Sequence, residues 1–379
     1  MFSIKTVDLR YKNFMININS DWIILSLIFT NKQKHKNVKS LPEKDINSLN
    51  GLIVQAKKPL IITHYNPDGD ALGSALGFYH YLVKKGKDPM VVTPNDYPEF
   101  LHWMPGNEKV VVYKRNNGTV LNALKSADVI FAMDFNDPDR TEGLEKYLQD
   151  APGKKVLIDH HPEPGDFADL EFSYTNYSST AELVYHIIVS LSDADLIDPV
   201  ISECLYTGIM TDTGSFNYNS SNPFTYHVVS KLIEQGINKD KIYWNIYDNY
   251  SVDRMKLLGY CLYEKMEVFP EYNAAYISLT EKELKDFNFS PGDSEGFVNY
   301  PLSIKGIRFT AIFIEKDKHV KISFRSKGKF PTNKFAEEHF HGGGHKNASG
   351  GYSYDNMSNT LEKFRKLLPK YKKQLNDSL

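Results

Sequence analysis

Cysteine is scarce in this chain, since Cys204 and Cys261 are the only two among 379 residues. Two cysteines provide neither a disulfide framework nor the thiolate ligand set of a structural zinc site. A reducing compartment is the simplest interpretation, and we expect the protein to be cytoplasmic.

Long apolar runs and an excess of one charge are also missing. The most apolar early stretch, residues 22–29, is far shorter than the roughly 20 residues that a membrane helix needs, and no small-residue cleavage site follows it. We therefore expect no membrane anchor. The formal net charge of −2 argues against non-specific binding of long duplex nucleic acid. Any polyanion must therefore be bound by a local patch.

The sequence does have enough apolar content, 41%, for two globular domains. Residues 1–40 show no sustained periodicity and predict a poorly ordered extension. From residue 59 onwards, short strand-like runs alternate with helical patterns, which predicts an α/β domain with a parallel sheet over 41–250. The strand-like runs are 60–63, 90–93, 109–113, 129–133 and 156–158.

The pattern changes after residue 250. A polar, aromatic stretch predicts a linker over 251–270. The chain beyond it, 271–379, has longer β-rich segments, a glycine cluster and a C-terminal helical pattern, which predict a smaller α+β domain. The predicted fold is therefore a parallel-sheet domain that faces a smaller α+β domain across a cleft.

Polar residues that directly follow the apolar runs are the first candidates for chemistry, because ligands of an open α/β sheet bind outside the carboxyl ends of its strands. The first run ends in His64, and a Pro-Asp-Gly turn then presents Asp68 and Asp70 two residues apart. An alternative is that Asp68 only makes the turn and Asp70 caps the next helix. His64 has no part in that alternative, which favours a metal site.

Three further positions of this kind follow along the chain. Asp134 comes directly after a strand-like run, although alone it is equally typical of a helix cap or a loop. Asp159, His160 and His161 follow another run, and adjacent histidines beside a carboxylate that can orient one ring fit a metal site. Asp212 ends an apolar helical pattern, where a simple polar helix end is an equal interpretation.

Apart from Asp159, which can orient a ring, these positions offer two imidazoles and four carboxylates as ligands, with a third imidazole in reserve and no thiolate. This donor set favours manganese or a similar divalent ion over structural zinc. A carboxylate shared by two ions about 3.5 to 4 Å apart is the arrangement that activates water and clamps a phosphoryl oxygen. Metal-assisted phosphoester hydrolysis is therefore the predicted reaction class.

In order and spacing, four motifs of this chain resemble those of the DHH phosphoesterases, in their RecJ-like branch. They are His-x-x-x-Asp-x-Asp, the strand-end Asp, Asp-His-His and the later Asp. The resemblance implies two manganese ions. Their implied ligands are His64, Asp68 and Asp134 for one ion and Asp70, Asp134, His160 and Asp212 for the other. Asp134 is then the bridge, His161 faces the substrate phosphate, and Asp159 supports the ligands.

A second motif lies in the smaller domain, where Gly342, Gly343, Gly344 and His345 resemble the glycine-rich signature of the DHH-associated C-terminal domain. Consecutive glycines let backbone N–H groups approach phosphate oxygens. Three glycines alone favour an ordinary turn, but the neighbouring histidine favours a phosphate site. Upstream, the guanidinium of Arg325 at a predicted strand end suits a phosphate group.

Positive charge concentrates in the same region. Residues 305–346 contain ten Lys or Arg and four Asp or Glu, an excess of six positive charges in a nearly neutral chain. Several of these are ordinary exposed lysines of a hairpin. The remainder predict a basic patch beside the glycine motif.

Resemblance to the short, two-domain members of the family implies a nanoRNase that degrades short oligonucleotides from their 3′ or 5′ end. It also implies hydrolysis of nucleotide 3′-phosphates such as adenosine 3′,5′-bisphosphate. The alternatives are a phosphodiesterase for cyclic or linear dinucleotides, a manganese pyrophosphatase or exopolyphosphatase, and a non-catalytic nucleotide-binding module. The glycine motif disfavours the pyrophosphatase, and the full ligand set disfavours the non-catalytic module. The expected partners are small nucleotides, and a homodimer is left open.

Overall fold

A computed structural model describes residues 40–377 of the chain. The extension predicted over residues 1–40 therefore lies outside the described residues, apart from Ser40. The described part contains two six-stranded sheets, one entirely parallel and one mixed. This confirms the predicted α/β fold. In the described range, no helix combines the length and the apolar character that crossing a membrane requires.

The first sheet is parallel and has the order β3-β2-β1-β4-β5-β6. Its central strands are buried along their whole length, which explains their unbroken apolar sequences. The strands are β1 (Pro59–Thr63), β2 (Met90–Thr93), β3 (Val110–Val112), β4 (Val129–Met133), β5 (Lys154–Asp159) and β6 (Leu170–Ser173). β6 is an edge strand that was not predicted from sequence.

The register of this sheet places its strand ends at one level. Thr63 pairs with Met133, and Met133 pairs with Ile158. The residues that follow these three, His64, Asp134 and Asp159, therefore lie side by side at this end of the sheet. This register is what gathers the predicted site residues at one edge.

Helices flank the first sheet, and three of them begin or end at the same edge. They are α1 (Glu43–Gln55), α2 (Gly69–Lys84), α3 (Asn117–Ser126), α4 (Glu145–Gln149), α5 (Thr180–Ser190), α6 (Pro199–Asp212), α7 (Pro223–Glu234) and α8 (Lys239–Tyr247). Gly208 allows α6 to approach both α2 and α5 closely, since a Cβ at this position would lie 2.8 Å from Asp70 Oδ1 and 2.5 Å from Ala181 Cβ. Any larger residue at this position would push the helices apart at the site.

The second sheet has the order β11-β12-β10-β9-β8-β7, and only β8 and β9 pair in parallel among its described strands. Its strands are β7 (Met266–Phe269), β8 (Ala274–Leu279), β9 (Phe309–Lys316), β10 (His319–Ser326), β11 (Gly343–His345) and β12 (Ala348–Ser353). The helices of this part are α9 (Val252–Tyr260), α10 (Glu281–Asp286), α11 (Thr332–His339) and α12 (Met357–Asn376).

Two apolar layers flank this second sheet. An aromatic core that includes Phe309, Phe324 and Phe364 joins one face to α11 and α12. On the other face, Leu257 of α9 and Phe297 pack only over the part near β8 and β9. The remaining part of that face, formed by β10, β12 and β11, lines the cleft towards the first sheet.

The segment predicted as a linker, 251–270, forms α9 and β7, and both belong to the second sheet's structure. The division into 41–250, 251–270 and 271–379 stays a prediction.

Candidate active site

The loop after β1 carries the first group of predicted ligands. His64 Nδ1 lies 2.9 Å from the carbonyl oxygen of Tyr65. A carbonyl can only accept, so Nδ1 donates and Nε2 presents a lone pair. Nε2 lies 3.5 Å from Asp134 Oδ2 and 4.0 Å from Asp68 Oδ1. The ring is therefore already oriented as a ligand.

Asp68 has two roles in this loop. Its Oδ1 accepts the backbone N–H groups of Asp70 and Ala71 at 3.0 and 3.1 Å, which makes it the N-cap of α2. Its side chain is nevertheless 48% exposed and lines the cleft. The capping role foreseen for this turn thus belongs to Asp68 and not to Asp70.

Asp70 is instead held by the start of α5. Its Oδ2 accepts the Thr180 N–H at 2.7 Å, and its Oδ1 accepts the Ala181 N–H at 2.9 Å. These two N–H groups have no partner within the helix, and the helix dipole favours a negative charge there. Oδ2 also lies 3.7 Å from His160 Nε2. Asp70 is therefore a buried carboxylate in a fixed orientation.

Asp134 occupies the centre of the site. It follows β4 with a φ of +66°, a left-handed conformation that Asp tolerates better than most residues. Its Oδ2 faces His64 Nε2 at 3.5 Å, while its Oδ1 lies 3.8 Å from His160 Nε2. Thr180 Oγ1 donates to Oδ1 at 2.7 Å. The two oxygens of one carboxylate are thus directed at two different groups of donors.

The second donor group surrounds His160. Its Nδ1 lies 3.4 Å from the carbonyl oxygen of Tyr177, so its Nε2 is presented to the carboxylates. Nε2 lies 3.5 Å from Asp212 Oδ2, at the C-terminal end of α6. Asp70, His160 and Asp212 each offer an atom within 4.8 Å of the others, as do His64, Asp68 and Asp134.

His161 forms a pair with Asp159 beside these two groups. Its Nδ1 donates to Asp159 Oδ1 at 2.7 Å, and its backbone N–H donates to Asp159 Oδ2 at 3.0 Å. The His161 ring stacks on His345 of β11, with ring centres 4.2 Å apart. The pair therefore lies where the two sheets meet.

The charges and protonation states of the site favour bound cations. Burial, followed by repulsion from neighbouring carboxylates, raises the pKa of Asp70, Asp134 and Asp212. Burial also lowers the pKa of His64, and lowers that of His160 to about 4. Neutral imidazoles and crowded carboxylates are the forms that bind divalent ions, so the residues present fit such ions.

The opposite wall of the cleft comes from the second sheet. Together with the residues described above, this wall encloses a cavity of about 680 Å³. The lining includes all five predicted substrate-binding residues: Arg325, Gly342, Gly343, Gly344 and His345. At Gly342 a Cβ would lie 1.9 Å from the carbonyl oxygen of Gly350, so only glycine fits. The glycine motif thus brings backbone close to the cavity.

The structure brings the predicted residues together. Five of the six predicted metal ligands line this cavity, namely His64, Asp68, Asp134, His160 and Asp212. Asp70 does not line it and lies against His160 instead. Their roles as ligands stay predictions.

Several residues of the site and the cavity were not predicted. Thr180 contacts both Asp70 and Asp134, but its sequence context indicates only a helix start after Ser179. Lys321 and Tyr352 line the cavity from neighbouring strands. Their alternation with buried residues along β10 and β12 is the signal that could have found them.

Family models match both parts of the chain. The N-terminal domain of the DHH family matches residues 58–209, and the DHHA1 domain matches residues 271–376. The chain is similar to a solved structure of an exopolyphosphatase-related protein from Bacteroides fragilis, with 43% sequence identity and a TM-score of 0.86. The match covers 89% of this chain and 99% of that one.

Two further similarities were found. The bifunctional oligoribonuclease and PAP phosphatase NrnA of Thermus thermophilus is 29% identical over 297 residues, which is 76% of this chain and 82% of that protein. The structure of RecJ in complex with Mn²⁺ from Thermus thermophilus is 13% identical with a TM-score of 0.51, over 90% of this chain and 56% of that one, and shows a shared fold. The chain therefore belongs to the DHH family of phosphoesterases, which are hydrolases that act on phosphoester bonds.

Proposed function

We propose that this protein is a manganese-dependent phosphoesterase with a two-metal site. Its proposed substrates are short oligonucleotides and nucleotide 3′-phosphates such as adenosine 3′,5′-bisphosphate. The observation that carries the proposal is Asp134, whose two carboxylate oxygens face His64 and His160 separately. One carboxylate between two donor groups is the arrangement of a bridged pair of ions.

One ion would be held by His64, Asp68 and Asp134, and the other by Asp70, Asp134, His160 and Asp212. When bound, such ions lower the pKa of water and neutralise charge on a phosphoryl group. Manganese suits this oxygen and imidazole donor set.

The chain's own residues supply the remaining functions. Asp159 keeps a proton on Nδ1 of His161, so Nε2 of that ring is left for the substrate. Burial lowers the pKa of His161 in the protein alone, but a bound phosphate anion would raise it again. A His161 ring protonated on substrate binding can donate from Nε2 to a phosphate oxygen while the Asp159 carboxylate stabilises its charge. Arg325 and those backbone N–H groups of β11 that do not donate to β12 bind phosphate on the opposite wall. The Gly342 N–H already donates to the carbonyl oxygen of Ala336.

The nucleotide part of the proposal has its own support. The Thermus thermophilus relative is named an oligoribonuclease and PAP phosphatase. In addition, Tyr65 and Tyr352 line the cavity, and aromatic rings can stack on a nucleobase. Polyphosphate and pyrophosphate have no base to stack. The Bacteroides fragilis relative, named exopolyphosphatase-related, keeps polyphosphate as the second candidate.

A substrate panel tests the proposal. Purified protein with Mn²⁺ is offered adenosine 3′,5′-bisphosphate, a dinucleotide, a five-residue RNA, a cyclic dinucleotide, pyrophosphate and polyphosphate in parallel. We expect turnover of the bisphosphate and the short RNAs, and its loss on addition of EDTA with recovery on excess Mn²⁺. Preferred turnover of polyphosphate or pyrophosphate would instead support the second candidate, and turnover unaffected by EDTA would exclude a metal mechanism.

Replacing Arg325 by alanine tests the phosphate-binding wall. Arg325 forms no ion pair within the part of the chain that the structure describes, and its Nη1 donates only to the carbonyl of Phe324, at 2.9 Å. Loss of a charge-assisted phosphate contact costs about 1.5–3 kcal/mol, so kcat/KM for short nucleotides should fall roughly ten- to hundredfold, mainly through KM.

Calorimetry should show unchanged metal binding by the Arg325→Ala variant, because Arg325 is not a proposed ligand. The exposed Lys329 provides the matched control, and Lys329→Ala should behave as the wild type. An Arg325→Ala enzyme with wild-type kcat/KM would remove this residue from the substrate site.

A further inference from the structure

The part of the second sheet that lines the cleft has an unusual distribution of side chains. Along β10, Val320, Ile322 and Phe324 are buried in the core on the far side. Lys321 and Arg325 alternate with them and line the cavity. This face therefore presents two cations, four residues apart, to the same cavity.

The floor between these cations is made of small residues. Ser323 lies between them on β10, and it pairs across to Gly350 of β12. No long side chain of β10 or β12 separates the two ends of the floor along this pair, so a ligand can lie against the backbone. The carboxylate of Glu295, from the segment before β9, is close enough to both cations to raise their pKa values. Four residues of an antiparallel strand span about 14 Å at ~3.4 Å per residue.

Each end of the floor has a distinct environment. Arg325 is close enough to Asp212 for each to shift the pKa of the other, so it marks the end near the proposed metal site. Lys321 pairs with Tyr352 across the strands, and cross-strand partners project to the same face. Tyr65, also in the cavity lining, has Lys114 Nζ 4.5 Å from its ring centre. The outer end therefore combines Lys321 with two aromatic rings, while Lys114 there is paired with Glu142 of the lining at 3.8 Å.

Lys321 has no counter-ion in contact with it, although the Glu295 carboxylate is close enough to raise its pKa against the larger effect of burial. Within residues 40–377, no carboxylate lies within 4.0 Å of its ammonium group, and no hydrogen bond from it is seen. Lys321 is only partly exposed, and burial lowers the pKa of its ammonium group. A half-buried cation without a partner is unfavourable by itself, and a bound anion would compensate for it.

We infer that Lys321 and Tyr352 form an outer nucleotide subsite, which binds a phosphate and a base of a nucleotide unit beyond the one that occupies the Arg325 end. The inference rests on the proposed function and specifies it further. A single ribose separates the two phosphates of a nucleoside bisphosphate, so such a molecule does not reach both ends of the floor. The outer subsite thus distinguishes oligonucleotides from single nucleotides.

The test replaces Lys321 by methionine, which removes the charge and keeps the aliphatic stem. We expect kcat/KM for a five-residue RNA to fall roughly ten- to hundredfold, the effect of one charge-assisted contact. Turnover of adenosine 3′,5′-bisphosphate should change less than about twofold, because this substrate does not reach the outer subsite and a residue without a contact typically changes free energies by less than about 0.5 kcal/mol. Lys321→Arg should retain the RNA activity. Lys318→Met, at the exposed turn of the same hairpin, is the matched control and should leave both activities unchanged.

Two results would overturn the inference while leaving the proposed function intact. These are an equal loss on both substrates and no loss on either. If the wild type cleaves neither substrate, the proposed function fails, and calorimetric titration of the five-residue RNA into both proteins decides the subsite separately. Binding that is at least about tenfold weaker in Lys321→Met than in the wild type supports it, whereas equal binding to the two proteins, or no binding to either, rejects it.

Discussion

Replacing Asp134 by asparagine should reduce kcat by about a thousandfold or more. The substitution removes the charge that both donor groups face, at 3.5 and 3.8 Å. A metal-assisted reaction draws several kcal/mol of transition-state stabilisation from its ions, and each 1.36 kcal/mol is a factor of ten in rate. Steady-state kinetics on the substrates of the panel measure the loss.

The fold should tolerate this change well. Asparagine adopts the left-handed conformation of Asp134 readily, and its side-chain oxygen can still accept from Thr180. In the metal-free protein the substitution also removes one of several buried, mutually repelling carboxylates. The metal-free variant should therefore unfold at a temperature equal to or above that of the metal-free wild type.

Stabilisation by added Mn²⁺ should be much smaller in Asp134→Asn than in the wild type, because binding to the folded state is what raises the unfolding temperature. The exposed Asp166 offers a control, since Asp166→Asn should leave both activity and Mn²⁺ stabilisation unchanged. A folded Asp134→Asn enzyme with near wild-type activity would falsify the bridging role.

Replacing Asp159 by asparagine should lower kcat by roughly a hundredfold or more, in the range of general acid–base effects. The carboxylate accepts from two donors, the His161 backbone N–H and Nδ1. An amide has only one oxygen, and the backbone N–H always donates. The amide oxygen should therefore turn towards the backbone, and its NH₂ group should face Nδ1.

This arrangement forces the proton of the neutral His161 ring from Nδ1 to Nε2 and leaves a protonated ring without its negative partner. Nitrogen chemical shifts of the labelled ring report the exchanged tautomer directly. In a His161→Ala background the further change Asp159→Asn should cost little, because the two residues act as one unit. Additive losses in the double variant would show that Asp159 acts independently of His161.

Much of the fold follows from local sequence patterns. β2 and β4 were predicted with their observed bounds, because buried parallel strands are nearly continuous apolar runs that end in polar residues. β6 was missed because it is a short edge strand with exposed and partly exposed residues, which produce no such run. α9 was taken for linker because its apolar residues become meaningful only against β8 and β9, which come later in the chain.

The site residues likewise fall into those that local sequence patterns predict and those that they do not. His64, Asp134 and Asp159 were predicted because each follows a strand, and the parallel register alone brings strand ends together. Thr180 was missed because its partners, Asp134 and Asp70, lie 46 and 110 residues away in sequence. Lys321 was missed among ten basic residues of its region, since only the structure shows which of them line the cavity without a contacting counter-ion.

The central claim is that Asp134 lies between two metal ions. Anomalous diffraction from crystals grown with Mn²⁺ tests it most directly, because manganese can then be located independently of the protein atoms. We predict two anomalous peaks, one among His64, Asp68 and Asp134 and the other among Asp70, Asp134, His160 and Asp212. A single peak at full occupancy, or two peaks that do not both contact Asp134, would contradict the account.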